Sequence, residues 1–392
     1  MFGYRNILIR VDLTNHRVTK EELSHEFMDN WLGGTGLGVK LMYDEVPVEV
    51  SWDSPENKLY MSCGALTGMP AGGTGTYGVV TKGALTGGFA TSQANGSFGA
   101  LLKYAGYIGI VFEGASEDWV HLYIDGDTVE IRDASHLVGL GSLATQDRIH
   151  ADYGRGEYEM SVACIGQAGE NLVRFAMITG DYGHVAAHNG VGAVLGSKKL
   201  KAVVINKRFN MKSNWADYPA LKQAGLNMAE SAKEAPTYKG TLLWGTNDGF
   251  VPLYMGGVLP IKNLNTSLME EAVQYQKIRE KYEYHHKPCW GCKWTHCGTL
   301  TFKEGSHKGK VIEEPEYEAL AEFGTDIYSK DIEGSLLLTE KVDDYGVDCN
   351  EAGWLMAFII DAYENGFITD VHTDGLKMRW GDTEAAGEML RK

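Results

Sequence analysis

The chain has 392 residues, 44% of them hydrophobic, enough for two or three domains with cores of their own. Its formal net charge of −16 argues against nucleic acid or an anionic membrane as partner, because both repel an acidic surface. No stretch approaches the ~20 apolar residues of a membrane span, and Met1 to Leu13 interleaves Arg5, Arg10 and Asp12 with its apolar residues, unlike a signal peptide. The expectation is a cytoplasmic protein.

Up to about residue 208 the pattern is mostly β. Ile7 to Leu13 alternates as a half-buried strand does. Val120 to Ile124 and Thr128 to Ile131, joined by Asp125-Gly126, predict a hairpin, and Leu200 to Ile205 reads as a buried strand. Between them lie glycine-dense segments at 33–38, 72–78, 87–99 and 183–196. The 49 glycines have no collagen period, which points to tight turns and backbone that approaches something closely.

One of these segments, Gly73-Thr-Gly75-Thr-Tyr-Gly78, spells the dinucleotide fingerprint, but a β-type run follows where a helix should start. What remains is backbone N–H groups and the hydroxyls of Thr74, Thr76 and Thr81, able to hold an anion such as phosphate. Four such loops in one domain favour a large anionic cofactor.

A domain boundary is expected near Lys207 to Ser213, dividing a β-rich domain (1–208) from a helical one (209–392). Helical periods run over Tyr218 to Lys233, Asp331 to Val342 and Asn350 to Glu364, the last with a cap at Asn350 and a stop at Gly366. Within the helical half, Cys289-Trp-Gly-Cys292 and Cys297 crowd three of the six cysteines together. In a chain without a secretion signal that spacing favours metal over disulfides, and read alone it fits zinc, with His296 as a further ligand, as well as a cubane iron–sulfur cluster. Further on, Pro315-Glu316-Tyr-Glu318 opens an apolar helical stretch, where a buried glutamate can act as a general acid or base. Asp343 to Asp348 lies between two helices, where a carboxylate can accept paired N–H bonds from an aminopyrimidine edge or simply cap a helix.

In this order the chain resembles the tungsten-containing aldehyde:ferredoxin oxidoreductases. The phrases that carry the resemblance run from about Tyr4 to the end. They include Trp31-Leu-Gly-Gly, Leu66-Thr-Gly68, Val79-Val-Thr-Lys82, Leu102 to Tyr107, Ile165 to Asn171, Gly190 to Lys198, Pro260 to Asn263, Lys287-Pro-Cys289, Pro315 to Glu318 and Asp343 to Asp348. The resemblance implies an α+β architecture: a β-rich N-terminal domain forms a base under two molybdopterin-type cofactors that chelate one tungsten or molybdenum, and an α-helical domain carrying the iron–sulfur motif follows. It implies that Cys289, Cys292 and Cys297 ligate a 4Fe–4S cluster and that Asp343 and Asp348 bind a pterin. Thr76, Gln93, Asn95 and Gly96, with His184, Val185, His188, Asn189 and Gly190, would line the pterins and their phosphates, with Mg2+ bridging the phosphates. Glu316 matches the family's glutamate beside the tungsten. Implied partners are a small aldehyde and ferredoxin or an iron–sulfur electron-transfer subunit, in a homodimer or a larger redox complex.

Three departures accompany the match. Family members commonly carry Arg where this chain has Thr35, Thr76, His184 and His188, and four residues rather than three separate Cys292 from Cys297. The family's third domain, with a further pterin motif, the fourth cluster cysteine and an active-site histidine, is expected from another chain or from sequence beyond Lys392. Two alternatives follow. One is an aromatic acyl-CoA reductase-type subunit, disfavoured because that branch uses a cysteine near Glu316 and none lies between Cys297 and Cys349. The other is a non-catalytic electron-transfer or scaffold subunit.

Overall fold

The computed structural model describes residues 2–207 and 215–392; most of the expected boundary segment, Lys207 to Ser213, lies outside the described residues. The chain divides into two compact units. The first comprises residues 1–230 with 289–293 and 344–347, and the second comprises 231–288, 294–343 and 348–392.

Two six-stranded sheets build the first unit. The strands are β1 (Ile7–Asp12), β2 (Arg17–Glu22), β3 (Leu59–Ser62), β4 (Tyr77–Lys82), β5 (Phe89–Ala94) and β6 (Gly109–Glu113), then β7 (Val120–Asp125), β8 (Thr128–Asp133), β9 (Met160–Cys164), β10 (Ile178–Gly180), β11 (His184–Ala186) and β12 (Leu200–Asn206). Their spatial orders are β2-β1-β6-β3-β4-β5 and β8-β7-β12-β9-β10-β11. Adding six to every label of the first sheet gives the second. Each sheet has one parallel pair, β1 with β6 and β7 with β12, and its other pairs are antiparallel. The unit is therefore a duplicated topology.

Side-chain alternation sets the layers. Ile9, Val11, Met61, Val79 and Ile110 of the first sheet share a core with Leu122, Ile124, Ala163, Val203 and Ile205 of the second. The opposite residues of the first sheet, Leu8, Tyr60, Val80 and Val111, meet Met28, Leu37 and Leu41 from the helices His25–Trp31 and Gly34–Glu45. On the second sheet, Tyr123, Val162, Cys164 and Val204 meet Leu137 and Ile149, the latter from the helix Ser142–Tyr153. With both faces covered, the central strands lose the polar-out alternation and read as continuous apolar runs. The predicted hairpin and the Leu200 strand are both present.

Helices dominate the second unit, which also holds a small antiparallel sheet of β13 (Glu283–His286), β14 (Gly298–Thr301) and β15 (Val311–Glu313). Its core joins Phe250, Tyr275, Leu300, Phe302, Ile312, Leu320 and Leu336. The helix Cys349–Glu364 is capped by Asp348 rather than Asn350: Asp348 is extended (φ −61, ψ 123), and its carboxylate accepts the Asn350 N–H at 2.9 Å. Asn350 already belongs to the first turn. Among the described residues no helix is long and apolar enough to cross a membrane.

Candidate functional site

The duplication places two equivalent loops, one per sheet, ahead of two short helices. Asn95-Gly96-Ser97 precedes the helix Phe98–Tyr104, and His188-Asn189-Gly190 precedes Val191–Ser197. The second residue of each helix is a glycine pressed onto the backbone just before β4 or β10. A Cβ on Gly99 would stand 2.5 Å from the Thr76 carbonyl oxygen, and one on Gly192 would stand 2.3 Å from that of Met177. Their N–H groups donate to Gly75 O at 3.0 Å and Ala176 O at 2.9 Å. These glycines exist for close backbone approach.

His188, Asn189 and Gly190 have φ of 64°, 60° and 71°, and Gly96 has φ of 83°. A run of left-handed residues costs about 1–3 kcal/mol for each non-glycine position and clusters at ligand clamps. Of the other residues expected there, Gln93 and Asn95 are exposed, and Val185 lies in β11 opposite Thr179. Thr76 donates its hydroxyl to Asn95 Oδ1 at 2.6 Å, with Gly73 O also in reach at 2.8 Å. The anion role expected of Thr74 and Thr81 is corrected by the structure. Thr74 donates to the Met69 and Ala71 carbonyls at 2.7 Å, and Thr81 is fully buried and donates to Lys58 O at 2.8 Å. Neither hydroxyl has a proton to spare.

The segment Cys289–Lys293 belongs to this β-rich unit, whereas the sequence reading put all three cysteines with the helices. Trp290 N–H donates to Gly96 O at 3.1 Å, and the Trp290 ring lies 5.6 Å from that of Tyr104. Gly72 packs beside a cysteine: a Cβ there would be 3.7 Å from Cys292 Sγ, an ordinary contact. Cys289 and Cys292 are half-buried, in contrast to Cys63 and Cys164, whose thiols burial pushes up to about 12. The first pair is partly open to its surroundings; the second pair is core.

In the second unit, Glu316 is exposed and sits in extended conformation (φ −65, ψ 160) just before the helix Tyr317–Leu320. Thr246 donates its hydroxyl to Glu316 Oε2 at 2.5 Å and accepts the Tyr317 N–H at 2.9 Å. The other oxygen, Oε1, is 3.9 Å from Cys297 Sγ, and His296 Nε2 is 3.4 Å from the same sulfur. Arg279 anchors this neighbourhood, donating to the His296 carbonyl at 2.5 Å and the Leu242 carbonyl at 2.9 Å while pairing with Glu314.

Asp343 falls in the last turn of the helix Ile332–Tyr345, and Asp348, 1% exposed, spends part of its carboxylate on the cap described above. Sequence reading missed two acids, one and two turns beyond Glu318. Glu322 and Asp326 lie in a π-helical stretch, Ala321–Asp326, and are 4% and 2% exposed. Burial first, then negative Asp326, pushes the Glu322 carboxyl up to about 9. Burial pushes Asp326 up to about 6 against the backbone N–H groups of Asn263 and Leu264, which hold it down. The signal available in the sequence was an acid at each of two positions of an otherwise apolar run.

Comparison with known proteins bears on both units. The family model "Aldehyde ferredoxin oxidoreductase, N-terminal domain" matches residues 8–207, and "Aldehyde ferredoxin oxidoreductase, domains 2 & 3" matches residues 223–392. The chain is 35% identical to a tungsten-containing aldehyde ferredoxin oxidoreductase of Thermococcus kodakarensis, over 100% of this chain and 64% of the relative. It is 30% identical to an "Aliphatic sulfonate oxidoreductase, WOR-like subunit" of Pyrococcus furiosus with the same coverage. Among solved structures it resembles a chain of "Active site complex BamBC of Benzoyl Coenzyme A reductase in complex with 1,5 Dienoyl-CoA", with a TM-score of 0.84 and 28% identity over 100% of this chain and 60% of that one. The chain thus spans 64% of the length of the curated relatives it matches.

Proposed function

Since the chain belongs to the aldehyde ferredoxin oxidoreductase family, we propose that it forms the cofactor base and cluster-bearing part of a tungsten-pterin enzyme that interconverts aldehydes and carboxylic acids. Electrons pass to ferredoxin or an iron–sulfur partner subunit, in a homodimer or a larger cytoplasmic complex. The observation that carries this reading is the pair of equivalent loops, one per half of a duplicated fold and one of them holding His188 and Asn189 in left-handed conformation, on the same unit as Cys289 and Cys292.

The residues suit the implied groups. Gln93, Asn95 and Gly96 in one half, and the backbone from His184 to Gly190 in the other, would hold two pterins, with Mg2+ between their phosphates. Asp343 and Asp348 would take a pterin edge. Cys289, Cys292 and Cys297 would hold the 4Fe–4S cluster; the two placed in the β-rich unit are half-buried, unlike the core cysteines Cys63 and Cys164. When bound, the tungsten or molybdenum centre supplies two-electron redox chemistry and Lewis acidity, and the cluster carries single electrons.

The chain's own contribution is position and proton handling. An aldehyde and water become a carboxylic acid, two electrons and two protons. Glu316 takes a proton from the attacking water at Oε1, because Thr246 occupies Oε2 and fixes the carboxylate plane. Proton transfer by a positioned carboxylate is worth about 10²–10⁴-fold. Aldehyde-dependent reduction of a viologen dye, measured without oxygen, tests the role. Glu316→Gln is expected to keep tungsten, pterin and iron and to lose most turnover; unchanged turnover contradicts the assignment.

A further inference from the structure

His184 opens β11, and its Nε2 lies 3.7 Å from Cys289 Sγ. The contact is built from both sides. On the histidine side the ring rests against Gly96, where a Cβ would stand 2.7 Å from His184 Cδ2 and 2.7 Å from Asp181 Oδ2. Asp181 in turn holds this loop, accepting the Ser97 N–H at 2.7 Å and the Ser161 hydroxyl at 2.6 Å. On the cysteine side, the bond from Trp290 N–H to Gly96 O ties the next residue to the same glycine. The loop around Gly96 therefore touches both partners: it packs against the His184 ring and is bonded to the residue after Cys289.

We propose that His184 donates its Nε2–H to the Cys289 sulfur and so raises the reduction potential of the 4Fe–4S cluster this cysteine ligates; the inference rests on the cluster assignment above. Reduction adds negative charge that is shared by the cluster's sulfurs. A donor aimed at one sulfur stabilises the reduced form more than the oxidised form. The imidazole that the sequence reading assigned to a phosphate thus serves the metal cluster, and anion contacts at this loop fall to the backbone and to Asn95.

The test is an anaerobic redox titration of the purified protein, followed by electron paramagnetic resonance, on wild type, His184→Leu and His184→Gln. The Leu variant is expected to show a more negative midpoint, while Gln, which keeps an N–H donor, stays nearer wild type. A second readout separates His184 from His296, whose Nε2 is also near a cluster cysteine. With isotopically labelled histidine, the reduced cluster of wild type should show a hyperfine coupling to a histidine nitrogen that is lost in His184→Leu. Iron-loaded protein with one midpoint in all three forms, or with a histidine coupling unchanged in His184→Leu, overturns this inference alone. A preparation without iron overturns it together with the cluster assignment.

Discussion

Arg279 closes a fork on both carboxylate oxygens of Glu314, with the two side chains 6% and 4% exposed. The same guanidinium holds the His296 carbonyl, and its carbon stands 3.7 Å from the Tyr284 ring centroid. It therefore joins the residue before Cys297 to the strand that leads into Glu316. Removing one partner of a buried pair leaves the other charge stranded, which costs about 3–5 kcal/mol. Arg279→Met should lower the melting temperature sharply, and adding Glu314→Leu should recover much of the loss. Thermal denaturation of both variants checks this. A double variant no more stable than the single one would show that the fork is not the source of the cost.

The duplicated glycines make a paired prediction. Gly99→Ala and Gly192→Ala should destabilise by similar amounts, about 1–3 kcal/mol each, because the new methyl meets a carbonyl oxygen that cannot move without its strand. Gly156→Ala, where nothing lies within 4 Å and φ is not positive, should fall within about ±0.5 kcal/mol. Urea midpoints for the three variants decide it, and a large difference between the first two would break the equivalence of the halves.

Glu322 gives the stability a pH dependence of known sign. Its carboxyl is raised to about 9 in the folded protein, so the folded state holds a proton that the unfolded state releases above the ordinary glutamate range. Its contribution is complete below about pH 4.5 and is lost as pH rises through about 9. Glu322→Gln should therefore gain stability relative to wild type across that window and stay level with it below. Melting temperatures of the two proteins from pH 4 to pH 9 check the sign, and a difference that does not change with pH would contradict it.

Much of the fold was legible in local sequence. Asp125-Gly126 between alternating runs gave the hairpin, and apolar period gave the helices Tyr218–Ala232 and Ile332–Tyr345. The duplication was not legible, because strands such as Ile7–Asp12 and Val120–Asp125 share topology rather than residues. Its one trace is Phe98-Gly-Ala-Leu-Leu102 beside Val191-Gly-Ala-Val-Leu195, where the glycines must touch backbone. The cysteine segment stood out by its spacing, but its location was not readable. Nothing near Cys289 indicates that Trp290 and Cys292 pack against Gly75, the Gly96 carbonyl and Gly72 of the β-rich unit, since those contacts are made across distant parts of the chain.

The most direct test of the central claim is the metal and pterin content of protein purified without oxygen, measured by mass spectrometry and by fluorescence of released pterin. The account predicts about one tungsten or molybdenum, two pterins and about four irons per chain, with iron lost in Cys292→Ser and retained in Cys63→Ala. Iron without tungsten, molybdenum or pterin would contradict it and leave an electron-transfer subunit in its place.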